Sequence, residues 1–265
     1  MRRIAWLTDP HLSYVPPQAS SEFLESLNGL PVDAIFLGGD ISEASRLLLD
    51  LSELSARVHK PVYFVLGSHD YYRSSIASVR FQTAQLCARM PNLTWLNQAG
   101  VVELTTQTAL VGHDGWGDGL QGSVEEAVPM NDELQIEELT SFDRHTLFAK
   151  LNELGREAAN HLHRSLSAAV ENYPNICLLT HVPPFREACW FEGAIASDGI
   201  LARAVCAAAG AVIEQVMKGH PERQLTVLCG HTHSPGFAQV LPNVQVWTGA
   251  AQYGQPRVQR LFWVP

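Results

Sequence analysis

Seven side chains able to hold a hard divalent cation occur in short groups along this chain: Asp9 and His11, Asp40, His69, His181, then His231 and His233. Carboxylate oxygens and neutral imidazole nitrogens are the donors that suit divalent manganese, iron or zinc. One Asp-x-His or His-x-His pair says little, because a lone histidine is more often a satisfied core or surface residue. What strengthens the reading is position, since each group directly follows an apolar run. In an extended segment residues two apart face the same way, so Asp9 with His11, and His231 with His233, are expected to grip an ion as pairs. Asp40 follows Gly38-Gly39, where missing side chains let the backbone turn sharply and approach a ligand. Its two oxygens suit it to bridge a pair of cations. Its competing role is to cap the helix that begins near Ile41, a position for which Ser42 also qualifies.

The runs that must position these groups are short and rich in β-branched and aromatic residues: Ile4 to Thr8, Ala34 to Leu37, Val62 to Leu66, Ala109 to Val111, Ile176 to Thr180 and Thr226 to Cys229. Helical spacing lies between them, over Ser20 to Leu27, Glu43 to Val58, Ser74 to Met90 and Ile200 to Lys218, and Glu133 to Asn172 predicts one or two helices covering a sheet. Val244 to Thr248 and Val258 to Val264 return to strand character, which implies a second sheet. Strand and helix in alternation give an α/β fold, and in such folds ligands bind in the crevice past the C-terminal ends of the strands. No repeat, low-complexity tract or long linker divides residues 1–265, so one domain is expected.

Composition narrows the partners. With 46% hydrophobic residues in 265, a substantial core is available, and no segment is apolar for long enough to span a membrane. Thr8 and Asp9 interrupt the first apolar run before a signal-peptide core can form. The five cysteines have no Cys-x-x-Cys spacing, which argues against a disulfide framework or cysteine zinc site and for a reducing cytoplasm. A balance of 18 basic against 27 acidic residues, net −9, speaks against a nonspecific nucleic-acid binder and for a small substrate.

The order Asp9-Pro10-His11, Gly39-Asp40, Gly67-Ser68-His69-Asp70, Thr180-His181-Val182-Pro183-Pro184 and Gly230-His231-Thr232-His233 resembles the calcineurin-like metallophosphoesterases. The likeness runs from residue 9 to 233, and its His-x-Pro-Pro and Gly-His-Thr-His pieces look most like bacterial cyclic-nucleotide phosphodiesterases. The resemblance implies a four-layer α/β/β/α sandwich of two mixed sheets flanked by helices, with two divalent metals (Mn, Fe or Zn) at the strand ends. By the family pattern Asp9, His11 and His233 would hold the first metal, Asp40 would bridge, and His181 and His231 would hold the second. The implied reaction is hydrolysis of a small phosphomonoester or phosphodiester by in-line attack of metal hydroxide. His69 would stand beside the leaving oxygen as a catalytic group, oriented by Glu43 or Asp70.

Ser68 departs from that pattern, standing where the family has an asparagine that binds the second metal. A neutral hydroxyl on a shorter side chain is a poorer donor. The second site is therefore expected to be weaker, filled out by water or selective for a different metal, and a low-activity metal-binding scaffold is the alternative to an enzyme; a nuclease on the same fold is another, which the acidic balance disfavours. His113, just past Ala109 to Val111, is a candidate substrate contact, and Arg186, Trp190 and Phe191 a candidate lip after His181. Two decoys are set aside. Gly117 to Gly122 matches Gly-x-Gly-x-x-Gly without a βαβ unit, and His161 and His163 lie in a helical stretch on divergent faces.

Overall fold

The computed structural model describes residues 1–140 and 143–265. In chain order the elements are β1 (Arg2–Leu7), α1 (Pro17–Ser26), β2 (Ala34–Gly38), α2 (Ala44–Arg57), β3 (Val62–Val65), α3 (Ile76–Cys87), β4 (Leu93–Trp95), α4 (Leu96–Ala99), β5 (Val102–Thr105), β6 (Thr108–His113), α5 (Asp132–Gln135) and α6 (Arg144–Asn172). They continue with β7 (Asn175–Thr180), β8 (Trp190–Phe191), β9 (Ala194–Ile195), α7 (Asp198–Ala204), α8 (Ala207–Gly219), β10 (Gln224–Cys229), β11 (Gly236–Leu241), β12 (Val244–Thr248) and β13 (Arg260–Val264).

One sheet has the order β13-β1-β2-β3-β4 and the other β11-β12-β10-β7-β6-β5. Both are mixed: β1 to β4 pair in parallel while β13 runs antiparallel to β1, and β12, β10, β7 and β6 pair in parallel while β11 and β5 are antiparallel edges. The strands alternate large apolar residues on both faces, which suits burial on both sides. Along β1, Ala5 and Leu7 face α1, α2 and α3, whereas Ile4 and Trp6 face the second sheet beside Phe36, Val65, Cys177, Leu179 and Leu228. The outer face of the second sheet, with Val111, Leu178 and Val227, is covered by α6 and α8. The result is helices, sheet, sheet, helices. Fully burying a leucine or phenylalanine contributes about 1.5–3 kcal/mol, and three such apolar layers make the sheets a stiff base for the loops at their ends.

One expectation needs amendment. Ile200 to Lys218 is not one helix: α7 and α8 meet at a 75° bend. There the extended Val205 and the buried Cys206 interrupt the spiral, and the Cys206 N–H donates to Pro183 O at 2.9 Å instead of within a helix. Glu133 to Asn172, expected as one or two helices, is divided between α5 and α6, its residues 141 and 142 lying outside the described residues. Among the described residues no single helix is long and apolar enough to cross a membrane.

Candidate metal centre

The strands end where the chemistry begins. Past Leu7 and Gly38 the chain leaves the sheet, yet the two exits stay zipped together: Asp9 N donates to Gly39 O at 3.0 Å, His11 N to Asp40 O at 3.0 Å and Leu12 N to Ile41 O at 2.8 Å. In the other sheet Gly230 N donates to His181 O at 2.9 Å. The two sheets are then tied across by His231 N, which donates to Asp9 Oδ1 at 3.0 Å.

The backbone here is not extended. Asp9, His11, Asp40, His231 and His233 all have left-handed φ, between 44° and 70°. Such a conformation costs a non-glycine residue roughly 1–2 kcal/mol. The paired groups therefore converge by tight turns rather than by strand alternation, which corrects the expectation that residues two apart share a face in an extended segment. A strained turn aims the side chain at the point where the two sheet edges meet, and its cost is borne by the surrounding packing. Glycines make the approach possible. A Cβ on Gly39 (φ 88°) would lie 2.7 Å from His181 Nδ1, and Cβ atoms on Gly67 and Gly230 would overlap Asp40 Oδ1 and Asp9 Oδ2.

Six donors converge in two groups that share Asp40. On one side His11 Nε2 and His233 Nε2 stand 3.0 Å apart, with His233 Nε2 3.6 Å from Asp9 Oδ1 and His11 Nε2 3.7 Å from Asp40 Oδ2. On the other, His181 Nε2 lies 3.4 Å from Asp40 Oδ1 and 3.2 Å from His231 Nδ1. Two donors about 2.1 Å from one ion, at right-angle or tetrahedral angles, sit roughly 3.0–3.4 Å apart, so three of these five separations match the edges of a coordination polyhedron and the two to Asp9 Oδ1 and Asp40 Oδ2, at 3.6 and 3.7 Å, lie just beyond. His181 Nδ1 is held by Gly38 O at 2.9 Å, which leaves Nε2 with its lone pair turned to the cluster.

Electrostatics agree with a cation. Burial first, and neighbouring histidines, lower His11 to about 3 and His181 to about 4, and burial lowers His231 and His233 as well. These rings are neutral and offer lone pairs near neutral pH. Burial pushes the Asp40 carboxyl up, but His181, His69, His11 and His231 together hold it below the usual carboxylate range. Asp9 goes the other way, raised by burial and by the charge of Asp40. Among the described residues Asp9 and Asp40 are buried side by side with no Lys or Arg paired to either, and the cleft above them is lined by neither. Buried charges are paired or bind metal, so this donor set fits divalent cations.

His69 sits beside the donors, with Nε2 4.0 Å from Asp40 Oδ2 and its ring 4.7 Å from that of His11. Its backbone N–H donates to Asp40 Oδ1 at 2.9 Å. Glu43 and Asp70 do not orient it. Glu43 accepts from Tyr14 Oη at 2.9 Å and pairs with Arg73 at 3.2 Å, while Asp70 accepts from Gly67 N and Ser42 N, both at 2.8 Å. The ring is fixed instead by stacking on Tyr72, centroids 4.2 Å apart at 28°. Ser68 is buried in the wall of the same cleft, next to the Tyr72 phenol.

The cleft, about 270 Å³, is completed by Pro129, Met130, Asn131, Asp132 and Tyr253. None of these adjoins a metal-ligand motif in sequence, and only the fold brings them in. His113 is corrected: it is buried and does not line this cleft, its ring lying 5.2 Å from His161 beside a separate cavity with Arg80 and Trp95. The reason is that it is the last residue of β6 and its side chain packs against His161 of α6. The next residue matters more. Asp114 accepts from Leu66 N at 2.7 Å, Tyr71 Oη at 2.8 Å, Asn97 Nδ2 at 2.8 Å and Trp95 Nε1 at 3.2 Å, and so anchors the loop that carries His69. Arg186, Trp190 and Phe191 do not line the cleft either; Arg186 pairs with Asp198 at 3.1 Å.

Comparison with known proteins identifies the family. The sequence profile of the calcineurin-like phosphoesterases matches residues 2–235. Similar solved structures include a phosphopantetheinyl hydrolase from Mycobacterium tuberculosis, with TM-score 0.66 and 16% identity over 95% of this chain and 89% of that one. A dimetal phosphatase from Danio rerio gives TM-score 0.57 and 13% identity over 94% and 87% of the two chains. A 5'-nucleotidase from Candida albicans gives 0.53 and 10% over 94% of this chain and 45% of that one. No curated protein matches by sequence. With the profile spanning nearly the whole chain and the Asp/His cluster in place, the protein belongs to the calcineurin-like phosphoesterases, hydrolases of phosphoric esters.

Proposed function

We propose that residues 1–265 form one domain that hydrolyses a small phosphomonoester or phosphodiester at a centre of two divalent metals (Mn, Fe or Zn). The observation that carries this reading is the placement of Asp40, whose Oδ2 faces His11 and whose Oδ1 faces His181, so that one carboxylate serves both donor groups. Asp9, His11 and His233 would complete the first position, and His181 and His231, with Ser68 nearby, the second. Bound divalent ions supply Lewis acidity toward the phosphoryl oxygens and bring water into range as a nucleophile near neutral pH.

The chain's own residues do the rest. His69, wedged between His11 and Tyr72, presents Nε2 toward the shared carboxylate and the cleft, where it would protonate the leaving oxygen or stabilise its charge. Because the cleft lining has neither Lys nor Arg among the described residues, phosphate charge is met at the donor cluster alone. That favours substrates with one phosphate over chains of them. Tyr72 and Tyr253 offer aromatic surface to the remainder of the substrate. The phosphopantetheinyl hydrolase and the 5'-nucleotidase are named for small phosphorylated compounds, which supports a substrate of that size, a nucleotide among them. A net charge of −9 gives no support to a nuclease.

Turnover of p-nitrophenyl phosphate and bis-p-nitrophenyl phosphate, by protein reconstituted in turn with manganese, iron and zinc, tests the reading. Turnover is expected with at least one metal and is expected to be lost in Asp40→Asn and reduced in His69→Ala. Metal binding without turnover on any ester would instead make the protein a scaffold.

A further inference from the structure

Ser68 leaves the second metal position short of a donor, and the wall beside it holds a carboxylate that no sequence motif marks. Asp132 opens α5, is 7% exposed, and lines the same cleft as Ser68, Asp40 and His231. One of its oxygens accepts from Tyr72 Oη at 2.8 Å; among the described residues the other has no hydrogen-bond donor. Tyr72 stands between the two residues, its phenol bonded to Asp132 and adjoining the Ser68 side chain. Asp132 and His231 line that cleft together.

The segment that carries Asp132 is docked rather than loose. Arg73 N donates to Gln135 O at 2.6 Å, Glu137 N to Ser74 O at 3.0 Å, and Ile76 N to Glu138 Oε2 at 2.7 Å. Arg203, itself buried, pairs with Glu133 at 2.8 Å and ties the other side of α5 to α7. These bonds fasten the carboxylate to the loop that bears Ser68 and His69. Among the described residues Asp132 forms no salt bridge, Arg203 being paired with Glu133 instead, and a buried acid without an ionic partner is costly unless a cation joins it.

We propose that Asp132 supplies, at the second metal position, the oxygen donor that Ser68 lacks. The assignment rests on the two-metal reading above. A carboxylate in place of a neutral amide adds a negative charge, which favours hard divalent ions and further disfavours polyanionic substrates.

The test is a calorimetric titration of the metal-free full-length protein with Mn²⁺, comparing wild type, Asp132→Asn, Tyr72→Phe and Asp132→Asn combined with Ser68→Asn. Wild type is expected to bind two ions. Asp132→Asn should keep the tighter ion, which also reports a correct fold, and weaken the second by at least about 10-fold. Ser68→Asn should restore it in the double variant. Unchanged affinities in Asp132→Asn overturn the proposal, as does a single ion on wild type, or an equal weakening in Tyr72→Phe, which would make Asp132 a prop for the tyrosine. Two ions on a wild-type protein that turns over no phosphate ester would sink the proposed function and leave this assignment standing.

Discussion

His11 Nε2 and His233 Nε2 lie 3.0 Å apart although 222 residues separate them in sequence. Both rings are held neutral by burial, so at this distance one must donate to the other or a cation must lie between them. The two buried carboxylates beside them favour the cation. Divalent metal should therefore stabilise the fold by mass action, by about 2.7 kcal/mol when present at 100 times its Kd. Thermal melts of wild type with EDTA and with Mn²⁺ measure the gain. His233→Ala should abolish most of it, and equal melting temperatures with and without metal in wild type would contradict the reading.

Asp40 is the residue both donor groups share, so its loss should be felt twice. In Asp40→Asn one oxygen becomes an amide donor pointing at unprotonated imidazole, and half the bridge is gone. A loss of several kcal/mol of transition-state stabilisation is expected, at least about 100-fold in kcat. Metal content by elemental analysis should fall in parallel. A variant that keeps both its metal and its rate would remove Asp40 from the centre.

Much of this centre could be read from residue order, because the family motifs fall on short runs that do become strand ends. The mechanism of convergence could not. Asp9 and His11 share a target because both adopt left-handed turns, a backbone choice that their side chains disfavour and only the zipped loops enforce. Tyr253 and Asp132 were invisible for a different reason: neither adjoins a motif, and Asp132 reaches the cleft only because α5 docks on the loop after His69. His113 misled through its neighbour, since the polar segment past β6 acts through Asp114, which fastens Leu66 and Tyr71, and not through the histidine. The break at Val205 and Cys206 escaped periodicity because both residues are apolar and buried, and the bend is set by a bond to Pro183.

Proton transfer by His69 should show in the dependence on leaving group. A positioned general acid contributes typically about 10²–10⁴-fold, and its help matters most when the departing oxygen is a poor leaving group. His69→Ala should therefore lose much more rate on an alkyl phosphate ester than on a p-nitrophenyl ester, with metal content unchanged. Equal losses on both would assign the ring to binding, not to protonation.

Gly67 should tolerate no side chain. A Cβ there would overlap Asp40 Oδ1 and crowd Asp40 N and His181 Cε1 at once, so neither the bridge nor its neighbour has room to retreat. Gly67→Ala should cost about 1–3 kcal/mol by overpacking and weaken metal binding together. Gly29→Ala is the control, since nothing lies within 4 Å of the added carbon. Similar denaturation midpoints for the two variants would refute the crowding argument.

The second histidine pair, His113 and His161, gives a pH signature independent of the metal centre. Burial foremost, then His161 and Arg80, drive His113 well below its ordinary value of 6.5, so the folded protein holds it neutral where the unfolded chain begins to protonate. As pH falls through 6.5 the unfolded state binds the extra proton, and stability drops until the lower folded value is reached. The slope this one group adds approaches about 1.4 kcal/mol per pH unit below the unfolded value. His113→Gln keeps a side-chain acceptor where Nδ1 now takes Gly115 N at 3.1 Å, and removes the titration. With both proteins stripped of metal, urea denaturation from pH 7.5 to 5.5 should give the variant a flatter loss than wild type, and parallel curves would show that His113 is not held neutral by its burial.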